Sequence, residues 1–182
     1  MQRKGLKCVF FDRDGIVNAS PGAGYVERWE DFRLQPEFVK ALRLVREAGY
    51  EAVVVSNQRG VALGKMSSAV VDDMHDRLHR TLRECHRLNL LDVLYCPHDD
   101  RDACGCRKPQ PGMLLEAARR HGIDLKCSWM IGDQERDIEA GRRAGCRTIL
   151  VSPGEGLSTA DFRVRDLQEL NRLLQKLLID DG

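Results

Sequence analysis

The sequence predicts a three-layer α/β domain of Rossmann-like architecture, built on a mostly parallel sheet. Short apolar blocks of strand length alternate with segments of helical period along the chain. The blocks are separated by Gly, Pro, Ser, Asn and Asp, which punctuate strands and open loops. At 182 residues, with no repeat, low-complexity tract or linker, the chain suffices for one domain, residues 1–182, with one proper core. Right-handed crossovers then bring the carboxyl ends of the strands to one edge, where open α/β sheets bind ligands.

Residues 7–11 form the first strand, with Cys8, Val9, Phe10 and Phe11 as a buried block that Gly15 ends. Residues 18–24 are a loop containing Ser20, Pro21, Gly22, Ala23 and Gly24. A helix opens at Pro36 and closes at Gly49, with Phe38, Leu42 and Val45 as its apolar stripe. Residues 52–55 are the second strand; Gly60, Ala62 and Gly64 fall in the following loop. Ser67 caps a helix whose stripe is Val71, Met74, Leu78, Leu82, Cys85 and Leu88, leaving His75, His79 and His86 as solvated residues off that stripe. Strands follow at 93–95, 129–131 and 148–151, with a short edge strand at 162–164. Helices are expected at 112–121, at 137–144 closed by Gly145, and at 167–178 behind a capping box of Asp166 and Glu169.

Composition removes several function classes. The net charge is +1, which gives none of the basic field that nucleic-acid binders use. No stretch approaches the roughly 20 apolar residues of a membrane span. The start Met1, Gln2, Arg3, Lys4, Gly5 is polar and carries no apolar signal region. Seven unevenly placed cysteines do not suit a secreted disulfide framework. A reducing cytoplasm, a small-molecule partner and a monomer are the expectation.

Asp12 lies at the carboxyl end of the first strand, and Asp14 in the turn beyond. Two such carboxylates repel unless a cation or proton separates them, which points to magnesium; two solvated turn acids are the blander alternative. Other strand ends decide between these. Ser56 follows the second strand, Lys108 a cysteine-rich loop, and Asp133 and Asp137 the fourth strand. A hydroxyl, an ammonium and several acids at one sheet edge make a phosphoryl-transfer site.

Residues 96–106 hold Cys96, His98, Cys104 and Cys106 in one short polar loop. Three thiols and an imidazole make a closed, structural zinc site, with a disulfide or unrelated loop residues as the alternatives. Such ligands must shed protons, so zinc loading should fail at acid pH. The last ligand directly precedes Arg107 and Lys108, so zinc would stiffen the loop that delivers Lys108. Cys8 and Cys146 read as small core residues, and Cys127 has no visible role.

Asp12-Arg13-Asp14-Gly15, Ser56-Asn57-Gln58, Lys108, and Gly132-Asp133 with Asp137 occur in the order of the four motifs of the haloacid dehalogenase superfamily of phosphohydrolases, which the chain resembles over residues 6–152. The resemblance implies Asp12 as nucleophile, Asp14 as general acid and base, and Ser56 and Lys108 on the phosphoryl oxygens. It places magnesium on Asp12, the Asp14 backbone carbonyl and Asp133, with Asp137 either a further metal group or a helix cap. The gaps between the motifs, roughly forty and fifty residues, are too small for a cap domain of about 50 residues or more, so the site should be open and capless.

Cys96-Pro97-His98 with Cys104-Gly105-Cys106-Arg107-Lys108-Pro109 is similar to a narrower group, the D-glycero-D-manno-heptose 1,7-bisphosphate phosphatases and the histidinol-phosphatases. Gly24-Tyr25-Val26 and the run from Arg107 to Met113 resemble the heptose enzymes more. That resemblance implies Arg107 on a second phosphate, where a guanidinium fork fits, and Gly24, Tyr25, Asn57, Gln58 and Arg59 around the sugar. Two departures stand out: residues 19–23 are longer than the family's usual connection, and Gln134 replaces a common lysine. The expected activity is removal of the C7 phosphate from a heptose bisphosphate. The alternatives are histidinol-phosphate hydrolysis and a non-catalytic zinc-stabilised binding domain.

Overall fold

The computed structural model describes residues 5–180; residues 1–4, part of the polar start read as lacking a signal region, lie outside them. Six strands form one sheet: β1 (Cys8–Phe11), β2 (Glu51–Asn57), β3 (Asp92–Cys96), β4 (Trp129–Gly132), β5 (Arg147–Val151) and β6 (Phe162–Val164). Their spatial order is β3-β2-β1-β4-β5-β6, and every neighbouring pair is parallel. The chain moves outward from β1 through β2 to β3, then returns to lay β4 on the other side of β1. The gap between β1 and β4 is therefore the switch point, where side chains at strand ends can face an open crevice.

Among the described residues the α-helices are α1 (Pro36–Glu47), α2 (Arg59–Ala62), α3 (Ser68–His86), α4 (Gly112–His121), α5 (Glu135–Ala144) and α6 (Leu167–Leu174). The pleat of β1 divides the core. Val9 and Phe11 pack with Phe38 and Leu42 of α1, Met74 and Leu78 of α3, and Leu170 and Leu174 of α6. Cys8 and Phe10 pack with Met113 and Leu114 of α4 and Ala140 of α5. The Phe11 and Phe38 rings meet edge to face at 5.2 Å, and each such fully buried ring contributes roughly 1.5–3 kcal/mol through burial. Both faces of β1 are thus pinned, which fixes the backbone that carries Asp12.

Expected and observed elements differ in a few places. Residues 59–62 form a one-turn helix instead of a loop, and α5 begins two residues early, so Asp137 lies inside its first turn. The last helix changes to wider π turns over Gln175–Asp180. Asp166 caps it by accepting from the Glu169 N–H, but Glu169 returns its bond to the Arg165 N–H, so the box is displaced by one residue. His75 is not solvated: it is 6% exposed and packs edge-on against Tyr95. It stands four residues after Val71 and three before Leu78, on the buried stripe itself. Cys85 continues that spacing yet is exposed, because it falls in the helix's final turn.

Candidate active site

Asp12 directly follows β1, and its N–H bonds the Ile131 carbonyl at 2.9 Å, tying the first acid to the end of β4. Gly15 has φ +97, and a Cβ there would lie 2.3 Å from Asp133 Oδ2, so only glycine lets the two strand-end loops close together. Gly132 does the same for α5: a Cβ would fall 2.3 Å from that of Asp137. These two glycines allow Asp12, Asp133 and Asp137 to place one carboxylate oxygen each within 4.8 Å of the others.

Lys108 crosses beneath this group and is 2% exposed. Its Nζ donates to Asp12 Oδ1 at 2.6 Å and to the Val55 carbonyl at 2.9 Å, and lies 2.8 Å from Asp137 Oδ1. Burial opposes its charge, but Asp12 and Asp137 outweigh that and raise its pKa, keeping it an ammonium. Asp12 also accepts the Arg13 N–H on Oδ1 at 2.8 Å. Burial, followed by repulsion from Asp137, pushes the Asp12 carboxyl up to about 7 despite Lys108. Burial and Asp137 raise Asp133 too. Asp137 is fully buried; its Oδ2 accepts the Gln134 N–H at 3.1 Å, while its Oδ1 has the Lys108 ammonium nearby but no aligned hydrogen bond. The alternatives for Asp137, helix cap or site acid, are thus met by different oxygens of one carboxylate.

One ammonium among three close carboxylates leaves excess negative charge in a buried place. A hard divalent cation with oxygen ligands fits that donor set, and Asp12, Asp133 and Asp137 are the clustered groups that could hold it.

Asp14 sits one side chain further out, about a quarter exposed. Arg13 Nη2 reaches both of its oxygens at 3.0 and 3.1 Å, Asn18 Nδ2 donates at 2.9 Å, and Gln58 Nε2 at 3.1 Å. Gln58 also donates to Ser56 Oγ at 2.6 Å, which leaves the hydroxyl proton available to another acceptor. Asn57 clamps the Lys108 peptide: its Nδ2 donates to the Lys108 carbonyl and its Oδ1 accepts the Lys108 N–H, both at 3.0 Å. Asn57 and Gln58, expected around the sugar, have side chains that bind Lys108, Asp14 and Ser56.

Asp12, Asp14, Ser56, Asn57, Gln58, Lys108 and Asp133 line a cavity of about 280 Å³ with Ser20, Pro21, Gly22, Gly24, Tyr25, Val26, Gln134 and Arg136. The long 19–23 segment therefore borders the site. Arg59 and Arg107 are not part of that lining. Arg59 pairs with Asp99 at 2.6 Å, and Arg107 binds Asp100 and the His98 carbonyl. Arg13, Asn18 and Arg136 were not singled out by sequence. Asn18 had a signal in its spacing, four residues after Asp14 in the same tight turn.

In the cysteine loop, Cys96 Sγ lies 3.5 Å from His98 Nδ1 and 3.5 Å from Cys104 Sγ, and Cys106 Sγ lies 3.4 and 3.5 Å from the same atoms. A zinc tetrahedron with bonds of about 2.3 Å to sulfur has edges of about 3.8 Å, so this cluster could hold that ion with little movement. None of the seven cysteines is joined in a disulfide. Among the described residues, no helix is long and apolar enough to cross a membrane.

Three clustered carboxylates, a buried lysine and a fourth acid at the switch point of a parallel sheet define a phosphatase of the haloacid dehalogenase type. Residues 105–171 match the family model described as HAD-hydrolase-like. The chain is 36% identical over 166 residues to a D-glycero-alpha-D-manno-heptose-1,7-bisphosphate 7-phosphatase of Photorhabdus laumondii, covering 87% of this chain and 89% of that one. It is 36% identical over 151 residues to the D-glycero-beta-D-manno-heptose-1,7-bisphosphate 7-phosphatase of Pseudomonas aeruginosa, covering 83% and 84%. A crystal structure of the D,D-heptose 1,7-bisphosphate phosphatase of B. bronchiseptica, complexed with magnesium and phosphate, superposes with a TM-score of 0.83 at 32% identity, over 94% of this chain and 99% of that one. The chain belongs to the haloacid dehalogenase superfamily and, within it, to the heptose-bisphosphate phosphatase family.

Proposed function

We propose that this chain is a capless, single-domain, cytoplasmic enzyme that removes the C7 phosphate of D-glycero-D-manno-heptose 1,7-bisphosphate. The observation that carries the reaction type is the meeting of Asp12, Asp133, Asp137 and Lys108 at one strand-end cavity, with Asp14 beside them. The substrate rests on kinship with the heptose enzymes.

A carboxylate oxygen of Asp12 attacks phosphorus, and the ester bond to the sugar oxygen breaks. Asp14 gives its proton to that leaving oxygen, so the sugar departs as an alcohol and an aspartyl-phosphate remains. Asp14 then takes a proton from water as the water oxygen attacks phosphorus, and breaking the bond to Asp12 frees inorganic phosphate. Arg13, Asn18 and Gln58 hold Asp14 at one orientation through both steps. Ser56 donates its hydroxyl to a phosphoryl oxygen, while Lys108 fixes the nucleophile and offsets charge that builds on the transferring group. Magnesium on Asp12, Asp133 and the Asp14 carbonyl would supply the positive charge that keeps Asp12 ionised and neutralises phosphoryl oxygens. Zinc on Cys96, His98, Cys104 and Cys106 would be structural, fixing the loop that carries Lys108.

The test is a phosphate-release panel in magnesium with both anomers of the heptose bisphosphate, histidinol phosphate and common hexose bisphosphates. A heptose bisphosphate should give the largest kcat/KM, by about 100-fold or more over histidinol phosphate. Faster release from histidinol phosphate would overturn the substrate, and no release from any compound would overturn the phosphatase.

A further inference from the structure

Asp14 must first give a proton and then take one, and the group that grips it hardest is a fully buried arginine. Arg13 Nε donates to Asp14 Oδ1 at 3.3 Å, and its Nη2 reaches both carboxylate oxygens at 3.0 and 3.1 Å. The guanidinium also lies 5.8 Å from the centre of the Phe32 ring. These contacts leave Nη1, which is buried and has no hydrogen-bond partner among the described residues. A charged donor in that state is costly, because burial removes the water that would otherwise satisfy it. A second unpartnered atom belongs to a nearby side chain. His75 of α3 is buried, packs edge-on against Tyr95 of β3 with ring centres 5.5 Å apart, and has no partner for Nε2. Burial, and after it the charge of Arg13, push the His75 pKa down to about 3, with His79 acting in the same sense and Asp14 against it. The ring is therefore neutral at the pH of catalysis and keeps one nitrogen as an acceptor. Arg13 lacks an acceptor where His75 lacks a donor, so each supplies what the other needs.

We infer that His75 is a positioning residue for the proton transfers: its Nε2 accepts a hydrogen bond from Arg13 Nη1, directly or through one water, and so locks the guanidinium that aims Asp14. The inference rests on the general acid and base role given to Asp14 above. A guanidinium tied only along its Asp14 edge can swing together with that carboxylate. Asp14 is partly exposed, so such a swing carries it toward solvent and away from the leaving oxygen. An anchor on the opposite edge stops the motion. His75 itself is not part of the cavity lining and acts only through Arg13. Asn18 and Gln58 also hold Asp14, so removing the anchor should weaken the proton transfer without abolishing it.

The experiment measures kcat/KM for the heptose bisphosphate and for 4-nitrophenyl phosphate, whose phenolate leaves without needing a proton. Because kcat/KM extends only to the formation of the aspartyl-phosphate, the pair of substrates isolates the acid step. His75→Phe should lose about 10-fold on the sugar ester and less than about threefold on the aryl ester. His75→Gln, whose side-chain carbonyl can accept, should return to within about threefold of wild type on the sugar ester. In an Arg13→Lys background, which has no Nη1, adding His75→Phe should change kcat/KM for the sugar ester by less than about twofold. Equal losses on both esters, no recovery in His75→Gln, or an undiminished loss in the Arg13→Lys background would overturn the inference. His75→Leu carries the same comparisons if melting curves show that His75→Phe does not fold. Asp14→Asn tests the reading beneath: it should lose at least about 10-fold more on the sugar ester than on the aryl ester, and equal losses there would defeat the acid role of Asp14 and the inference with it.

Discussion

The molecule gathers metal-competent side chains in two places, and the contrast between them explains how each works. At the switch point, Asp12, Asp133 and Asp137 bring hard oxygens of like charge together around Lys108. In the cysteine loop, Cys96, His98, Cys104 and Cys106 close four softer donors on one another. The first set is unbalanced without a cation and opens on a cavity, so a phosphoryl oxygen can join it. The second is complete with four ligands and has no position left for substrate. On the proposed reading one cluster reacts and the other holds, and two peptide bonds join them, from Cys106 through Arg107 to Lys108.

The largest effect should come from breaking the reactive cluster at its nucleophile. Asp12→Asn keeps the shape and removes the attacking anion, so kcat should fall by about 10⁴-fold or more. Stability should hold or rise, because Asp137 loses a buried neighbour of like charge while Lys108 keeps Asp137 as its partner. Phosphate release and a melting curve on the same preparation check both halves. Turnover persisting in this variant would remove covalent catalysis from the account.

Breaking the holding cluster should act more broadly and less deeply. Cys104→Ser leaves three donors, and we expect a loss of roughly 2–4 kcal/mol in stability with kcat down by about 10-fold. The loss should be smaller than that of an isolated zinc module, because β3 and α4 still bracket the loop. Zinc content, denaturant midpoint and kcat in excess magnesium are the measurements. If zinc is absent from the wild type, or if its removal leaves kcat and midpoint unchanged, the two clusters are not coupled through Lys108.

A smaller change sharpens the same link from the other side. Asn57→Ala deletes both hydrogen bonds to the Lys108 peptide while leaving the zinc ligands alone. At roughly 1 kcal/mol for each bond, kcat should fall by up to about 30-fold with little change in zinc content. A rise in KM alone would instead return Asn57 to the sugar-contacting role that the family resemblance implies.

The parts of this plan that were legible in the sequence are those fixed by spacing along one element. Apolar blocks gave the strands, and residues at their carboxyl ends gave Asp12, Ser56 and Asp133, because parallel topology sends those ends to one edge. The cysteine loop was legible because its four donors are local. Contacts made across elements were not. Asn57 and Gln58 are adjacent on β2 and its exit, but one turns to Lys108 and the other to Asp14, a choice set by tertiary neighbours. The pairing of Arg59 and Arg107 with Asp99 and Asp100 depends on the fold of the loop between them. Arg136 carries no local mark beyond its place in the turn after a strand-end acid. His75 did carry one, since its spacing from Val71 and Leu78 is that of the buried face; its polarity outweighed its period in the sequence argument.

His75 also supplies the mildest test, because it shows what the protein does with a buried charge that has no counter-ion. The carboxylates at the site are buried beside Lys108, so burial of charge there is compensated in part. At His75, burial and then the positive Arg13 and His79 push the pKa down to about 3, with only Asp14 opposing. Its Nε2 is buried without a partner. The folded state therefore refuses a proton that the unfolded chain accepts below about pH 6.5. Stability from this residue is fully present above pH 6.5 and is lost as pH falls toward 3, by roughly 2 kcal/mol at pH 5. His75→Phe retains an aromatic ring against Tyr95 and has nothing to titrate, so its stability should decline less between pH 7 and pH 5 than that of the wild type. Zinc loss at acid pH affects both proteins alike and cancels in the difference. Denaturant titrations at the two pH values give that difference, and identical slopes would mean that His75 admits a proton in the folded state.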